Sequence, residues 1–108
     1  MTRPAVSVLM TVYNGMPYLR EAIESVLAQT FVDFEFVIVD DGSTDGSLEC
    51  IASYRDLRIR LWRNDANLGQ TRSLNRGLDL LRGEYVARLD ADDVCVATRL
   101  ERQVEVLR

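Results

Sequence analysis

Short apolar runs, separated by polar loops and helical patterns, organise this chain. Four of these runs are rich in β-branched or aromatic residues, and they predict strands at residues 5–11, 34–39, 59–62 and 85–89. The first run, AVSVLMT, is almost continuously apolar, which is typical of a strand covered on both faces of its sheet. We therefore expect the sheet to lie between helices.

After each strand, apolar residues recur at helical spacing and predict a helix. Pro17 suits the first turn of the first helix, and Ser43 and Thr44 can cap the second. Gly83 is predicted to close the third helix. The apolar positions are Leu19, Ala22, Ile23, Val26 and Leu27 in the first helix, Leu48, Ile51 and Ala52 in the second, Leu74, Leu78 and Leu81 in the third, and Leu100, Val104 and Leu107 in the fourth.

Strands that alternate with helices through short loops predict an α/β fold with a Rossmann-like open parallel sheet of strand order 3-2-1-4. Ligands of such sheets bind outside the carboxyl ends of the strands, where the strand order reverses. Three polar loops are predicted to meet there, at residues 11–15, 40–45 and 90–93. We therefore expect the ligand site at this edge.

Length and charge narrow the class of protein. A chain of 108 residues has room for one domain, residues 1–108, and the fourth helix is unfinished at Arg108, which indicates a truncated, N-terminal portion of a larger domain. The net charge of −4 argues against nucleic acid as the main partner. Two unspaced cysteines without histidine, no membrane span and no signal peptide predict a cytoplasmic protein.

Three carboxylates stand in four residues directly after the fourth strand: Asp90, Asp92 and Asp93. Anions this close repel one another unless a cation neutralises them, and Mg²⁺ or Mn²⁺ prefers oxygen ligands of this kind. In an extended segment Asp90 and Asp92 point to the same side, so one can hold the metal while the other reaches its ligand. The alternative is a solvated acidic turn that caps the next helix.

Two further residues at the same edge suit a nucleobase. Tyr13 offers an aromatic face, and Asp41 offers an acceptor for the N–H of a ring such as uracil, which discriminates against cytosine. Taken singly, Tyr13 is an ordinary amphipathic ring and Asp41 a turn residue that bonds its own backbone. Taken with the acidic loop, they predict a metal-bound nucleotide. No glycine-rich phosphate loop is present, so a cation must hold the diphosphate, with Arg72 as a candidate for extra positive charge.

Several blocks of the sequence resemble the inverting glycosyltransferases of family 2, which bind nucleotide sugars in a GT-A fold. The blocks are VLMTVYN at residues 8–14, SVLAQT at 25–30, VDDGSTD at 39–45, NLG at 67–69 with Arg72 and Asn75, and GEYVARLDADD at 83–93. They run from Ala5 to the end of the chain in the family's order and spacing. One departure is Ala97, where the family often has proline.

The resemblance implies roles for individual residues. Thr11 and Tyr13 would line the pyrimidine site, and Asp41 would pair with the base. Within the D-x-D motif of residues 90–92, Asp92 would bind the metal and Asp90 would face the ribose. Asp93 would support this loop, and Arg72 would lie near the nucleotide.

The resemblance also implies a reaction: transfer of a sugar from a nucleotide-diphospho-sugar, UDP-linked, to an unknown acceptor, with Mn²⁺ or Mg²⁺ and with inversion. The family's catalytic base lies well downstream of D-x-D, so we assign none here and expect residues 1–108 alone to be inactive. A truncated sheet edge favours self-association. The parent protein would act in the cytoplasm or at the cytoplasmic face of a membrane.

Two other functions remain open at this point. The chain can be a stand-alone, non-catalytic nucleotide- or metal-binding module. It can also be a phosphoryl-transfer or receiver-type α/β domain with its carboxylates on Mg²⁺. The second is disfavoured because a receiver would carry its acceptor Asp after the third strand, where Asn64 and Asp65 stand without a following lysine at a strand end.

Overall fold

The computed structural model describes residues 3–107, and within them four strands alternate with four helices. The strands are β1 (Val6–Val12), β2 (Phe34–Asp40), β3 (Ile59–Arg63) and β4 (Tyr85–Asp90). The helices are α1 (Leu19–Leu27), α2 (Ser47–Ala52), α3 (Gln70–Leu80) and α4 (Arg99–Leu107). Each predicted element is present, and no strand end differs from its prediction by more than one residue.

The four strands form one parallel sheet in the order β3-β2-β1-β4, as the sequence predicts. The register places Val12 opposite Asp40 and Thr11 opposite both Val39 and Asp90. Strands β2, β1 and β4 therefore end at nearly the same level. The loops that follow them lie side by side along the carboxyl edge of the sheet.

Helices cover both faces of the sheet, and its two central strands, β1 and β2, are almost entirely buried. One face packs against α1, α2 and α4 in a core that includes Met10, Phe36 and Ile38, each fully buried. The opposite face presents Leu9, Val37 and Val39 to α3 and to the segment that follows it. No helix among residues 3–107 is both long enough and apolar enough to cross a membrane.

Three local predictions differ from the structure. Pro17 lies in the turn before α1, which begins at Leu19. Neither Ser43 nor Thr44 caps α2, because Asp45 Oδ1 accepts hydrogen bonds from the backbone N–H and the hydroxyl of Ser47 instead.

Gly83 does not close α3, which ends at Leu80 with Leu81 in an extended conformation. A Cβ atom at Gly83 would lie 2.5 Å from both the backbone nitrogen and the hydroxyl oxygen of Ser7. The Gly83 N–H also donates to Ser7 Oγ at 2.7 Å. Glycine is therefore required at residue 83 for close approach to β1, and the prediction that it closes α3 is wrong.

A buried ionic cluster around Glu35 stabilises the amino-terminal edge of the sheet. Glu35 is 3% exposed, and its carboxylate accepts hydrogen bonds from Ser7 Oγ, Arg60 Nη1, and the backbone N–H and Nε of Arg82. Burial raises the pKa of Glu35, but these hydrogen bonds outweigh burial and lower it from 4.5 to about 2. The cluster joins β1, β2, β3 and the segment after α3.

Strand β4 lies at an edge of the sheet, and an apolar groove of about 370 Å³ runs between β4 and α4. Val86, Val106 and Leu107 line this groove and are at least half exposed. An unpaired edge beside exposed apolar side chains is a site for association. Self-association through this edge stays a prediction.

Candidate functional site

The carboxyl edge of the sheet contains a cavity of about 350 Å³ where the ends of β1, β2 and β4 meet. Four of the predicted nucleotide-binding residues line it together, from three different loops or strand ends: Thr11, Tyr13, Asp41 and Asp90. Tyr13 is half exposed, so its ring is accessible to a ligand. The topology thus brings these four side chains to one site, as the sequence predicts.

A fourth loop, residues 64–69, also forms part of this site, in addition to the three loops that the sequence predicts to meet there. Asn67 and Gly69 from this loop line the cavity, with Gln70 and Ser73 from the first turns of α3. The missed signal was positional, since this polar loop also follows the carboxyl end of a strand.

The carboxylate of Asp41 is held in place by hydrogen bonds from this fourth loop. Its Oδ1 accepts from Asn64 Nδ2 at 3.0 Å and from the Leu68 N–H at 2.8 Å, while Oδ2 accepts from the Gly69 N–H at 3.0 Å. Burial raises the pKa of Asp41, but these bonds outweigh burial and leave the pKa below its usual value. Asp41 is therefore an ionised acceptor at neutral pH. Its bonds come from another loop, not from its own turn.

Gly42 allows the loops after β2 and β3 to touch. Its φ of +75° lies in the left-handed region, and a Cβ atom there would lie 2.7 Å from the backbone carbon of Ala66. Only glycine fits both conditions. The close approach brings the Leu68 and Gly69 N–H groups within reach of Asp41.

The loops after β1 and β2 are also joined by hydrogen bonds. The Asn14 N–H donates to Ser43 Oγ, the Gly15 N–H to Ser47 Oγ, and the Met16 N–H to Asp45 Oδ2, at 2.9–3.0 Å. In return, Asn14 Oδ1 accepts from the Thr44 N–H at 2.8 Å. These bonds fix the backbone that immediately follows Tyr13.

A second cavity of about 290 Å³ adjoins the first, and both are lined by Tyr13 and Ala91. Asp92 lines the second cavity, whereas Asp90 lines the first. The two carboxylates of the D-x-D motif thus face neighbouring spaces. This arrangement suits a ligand with a ring at one end and charged groups at the other.

The carboxylate oxygens of Asp90, Asp92 and Asp93 lie within 4.8 Å of one another and are exposed. The prediction of an extended segment is wrong here: the segment is a turn, because the Asp93 N–H donates to the Asp90 carbonyl at 3.0 Å. Asp93 Oδ2 accepts from the Asp90 N–H at 3.2 Å. Three hard oxygen donors this close fit a divalent cation such as Mg²⁺ or Mn²⁺.

The SVLAQT block anchors the segment that follows this acidic turn. Ser25 Oγ accepts from the Cys95 N–H at 2.9 Å, and Gln29 Nε2 donates to the Val96 carbonyl at 2.8 Å. The Thr30 N–H donates to the Ala97 carbonyl at 2.9 Å. The segment is therefore anchored by hydrogen bonds even though residue 97 is alanine, where the family often has proline.

Arg72 is exposed on α3 and is not among the residues that line either cavity. It lies in the same first turns of α3 as Gln70 and Ser73, which do line the first cavity. Its predicted place near the nucleotide stays a prediction.

Comparison with known proteins identifies the class to which this fold and site belong. The model of the family described as Glycosyl transferase family 2 matches residues 7–108. The chain therefore belongs to glycosyl transferase family 2.

Relatives of this chain are longer proteins. An uncharacterised glycosyltransferase of Methanocaldococcus jannaschii is 42% identical over 111 residues, which cover 99% of this chain and 38% of that protein. An uncharacterised glycosyltransferase of Haemophilus influenzae is 37% identical over 109 residues, covering 99% of this chain and 44% of that protein. The chain thus spans less than half the length of these relatives.

Two solved structures with the same fold contain a nucleotide or a nucleotide sugar. TarS of S. aureus, residues 1–349 in complex with UDP, matches with a TM-score of 0.89 and 31% identity, over 94% of this chain and 31% of that one. The mannosyltransferase PcManGT from Pyrobaculum calidifontis, in complex with GDP-Man and Mn²⁺, matches with a TM-score of 0.88 and 29% identity, over 99% and 33%. The GT-A fold that the sequence predicts is thus confirmed.

Proposed function

We propose that this chain is the donor-binding portion of a hexosyltransferase that transfers a sugar from a UDP-sugar to an acceptor, with inversion. The observation that carries the proposal is the cavity of about 350 Å³ lined jointly by Thr11, Tyr13, Asp41 and Asp90. An aromatic face suits stacking of a pyrimidine ring, and an ionised acceptor suits the N3–H of uracil. The acceptor of the sugar is a separate question.

The base is proposed to be uracil. It would stack on Tyr13 and donate its N3–H to Asp41, whose Oδ2 accepts one hydrogen bond from the protein and has capacity for another. Cytosine presents an acceptor at the same ring position, so an ionised carboxylate would repel it. The complexes of TarS with UDP and with UDP-GlcNAc support this choice.

The diphosphate is proposed to bind beside Asp92 through Mn²⁺ or Mg²⁺. The three clustered carboxylates suit such an ion, and the PcManGT complex with Mn²⁺ supports this choice. When bound, the ion supplies Lewis-acid stabilisation of the charge on the departing diphosphate. Asp90 would face the ribose in the first cavity, while Arg72 would contribute positive charge near the nucleotide.

Transfer also needs a base that deprotonates the acceptor hydroxyl. No residue of the two cavities is assigned this role, and we propose that residues 1–108 alone bind the donor without transferring its sugar. The cytoplasm is the proposed location, which Cys50 and Cys95 support as two buried free thiols.

Calorimetric titration of UDP into this chain, with and without Mn²⁺, tests the proposal. We expect binding that strengthens at least tenfold when Mn²⁺ is present. Asp92→Ala should abolish the Mn²⁺-dependent part, because the substitution removes a ligand of the ion. The matched control is Asp79→Ala, which removes an exposed carboxylate from α3.

Two results would contradict the proposal. If Asp92→Ala and Asp79→Ala weaken UDP binding equally, the acidic turn has no role in metal binding. Sugar transfer by residues 1–108 with Mn²⁺ and a UDP-sugar would show that the chain carries its own base.

A further inference from the structure

We infer that Asn64 is a positioning residue, which fixes the Asp41 carboxylate as an acceptor and so sets the preference for uridine over cytidine nucleotides. The inference rests on the proposed function, because it assigns a second residue to base recognition. Asn64 lies one residue after β3, and nothing in the sequence blocks marked it as part of the site.

Asn64 is held firmly on both sides. It is 5% exposed, and its backbone N–H donates to the Asp40 carbonyl at 2.8 Å, which continues the ladder between β2 and β3. Its side-chain Nδ2 donates to Asp41 Oδ1 and to Ser73 Oγ, each at 3.0 Å. Ser73 is fully buried on α3. A rigid amide donor thus connects the carboxylate to the helix.

The hydrogen bonds leave acceptor capacity on one oxygen of Asp41. A carboxylate oxygen accepts about two hydrogen bonds. Oδ1 receives both of its bonds from Asn64 and the Leu68 N–H, whereas Oδ2 receives one, from the Gly69 N–H. The remaining capacity is on Oδ2. Without Asn64, each oxygen would keep one bond, from the Leu68 or the Gly69 N–H, and no single oxygen would be reserved for the ligand.

An amide at residue 64 also favours an ionised Asp41, because it places no negative charge beside that carboxylate. An ionised Asp41 accepts from uracil N3–H, whereas a protonated Asp41 could donate to cytosine N3, so discrimination requires ionisation. Asn64 donates without titrating. Among other titratable groups, Asp40 is beside Asp41 in the chain, Arg63 and Asp65 flank Asn64, and Tyr13 and Asp90 line the same cavity. A carboxylate at residue 64 would add a like charge in direct contact and raise the pKa of Asp41.

The test is the ratio of the dissociation constants for CDP and UDP, measured with Mn²⁺ between pH 5.5 and 8. The ratio cancels the titration of the phosphates and of the metal site, which the two ligands share. For the unaltered chain we expect UDP to be preferred by about tenfold, independent of pH. For Asn64→Asp we expect the preference to fall below about threefold at pH 5.5 and to recover towards pH 8.

Asn64→Ala removes the donor without adding charge, and we expect it to reduce the preference severalfold at every pH. Gln103→Glu, on the exposed face of α4, controls for an amide-to-carboxylate change and should leave the ratio unaltered. Circular dichroism confirms that each variant is folded. Asn64 variants that keep the preference of the unaltered chain at every pH would overturn the inference. Equal binding of UDP and CDP by the unaltered chain would instead overturn the proposed base recognition itself.

Discussion

Gln29 and Leu100 join the end of α1 to the beginning of α4, because Gln29 Oε1 accepts a hydrogen bond from the Leu100 N–H at 3.1 Å. The same amide donates through Nε2 to the carbonyls of Val96 and Ser25. Gln29 is 3% exposed, so these bonds are shielded from water. One buried side chain therefore anchors the segment between the acidic turn and α4.

Gln29→Glu should destabilise the chain by about 1–3 kcal/mol, because a carboxylate oxygen would replace Nε2 against two carbonyls. Urea unfolding measures this loss, and hydrogen exchange should show faster exchange at the Leu100 amide. Gln103→Glu is the matched control, since the same change on an exposed residue should have little effect. Equal stability of the two variants would contradict the anchoring role.

The Glu35 cluster makes stability depend on pH. The pKa of Glu35 is about 2 in the folded chain and 4.5 without the cluster, so its contribution is fully present above pH 4.5 and is lost as the pH falls towards 2. The shift corresponds to roughly 2–3 kcal/mol, allowing for partial exposure of Arg60 and Arg82 to solvent. Urea unfolding from pH 2 to pH 7 measures it.

Glu35→Gln should remove this part of the pH dependence, because glutamine does not titrate. Glu21→Gln is the control, since Glu21 is exposed on α1 and has no such cluster. If Glu35→Gln retains the full pH dependence of the unaltered chain, other carboxylates are responsible for it.

Gly42→Ala should cost more stability than Gly46→Ala. Both glycines have positive φ, +75° and +92°, so each substitution incurs the strain of about 1–2 kcal/mol for a left-handed residue. Only Gly42 would also bring its Cβ within 2.7 Å of the Ala66 backbone, whereas the nearest atom at Gly46 is 4.0 Å away. Thermal unfolding measures the loss of stability in each variant. Equal losses would show that the Ala66 backbone moves away from the added Cβ at little cost in free energy.

Tyr13→Ala should weaken UDP binding by about tenfold or more, since stacking on an aromatic ring contributes about 1–3 kcal/mol per base. Tyr13→Phe is the control, because it keeps the ring and removes only the hydroxyl. Calorimetric titration of UDP with Mn²⁺ gives both constants. A loss of the same size in both variants would assign the effect to the hydroxyl and exclude stacking.

Self-association through the β4 edge should depend on Val86, which is 52% exposed in that strand. Sedimentation velocity at rising concentration should show dimers for the unaltered chain and monomers for Val86→Arg. Val32→Arg is the control, because Val32 is 68% exposed in a loop before β2. If both variants sediment like the unaltered chain, the groove between β4 and α4 is not an interface between copies.

The elements and their order follow from local pattern and general rules of topology. Apolar runs and helical spacing place each strand within one residue, and right-handed crossovers give the order β3-β2-β1-β4. Local pattern does not reveal a partner far along the chain. The prediction that Gly83 closes α3 is wrong because its close contact, Ser7, lies 76 residues earlier in the chain. The hydrogen bond from Asn64 to Asp41 is not predicted because the two residues are 23 positions apart.

The candidate site also has features that topology predicts and features that it does not. Thr11, Tyr13, Asp41 and Asp90 come together because each ends or follows a neighbouring strand, so topology alone brings them to one edge. The prediction that the acidic segment is extended is wrong, since the backbone N–H of Asp93 donates to the Asp90 carbonyl and folds the segment into a turn. A backbone hydrogen bond of this kind closes a local turn, and such a turn has no periodic pattern of apolar residues.

The Glu35 cluster and the two cavities lie at opposite edges of the sheet. The Glu35 cluster ties the strands together at the amino-terminal edge, while the cavities lie at the carboxyl edge, beyond the last residues of β1, β2 and β4. Substitutions in the loops at the carboxyl edge are thus remote from the ionic cluster. This separation leaves those loops free to change in sequence during evolution, or under directed selection in the laboratory, on an unaltered scaffold.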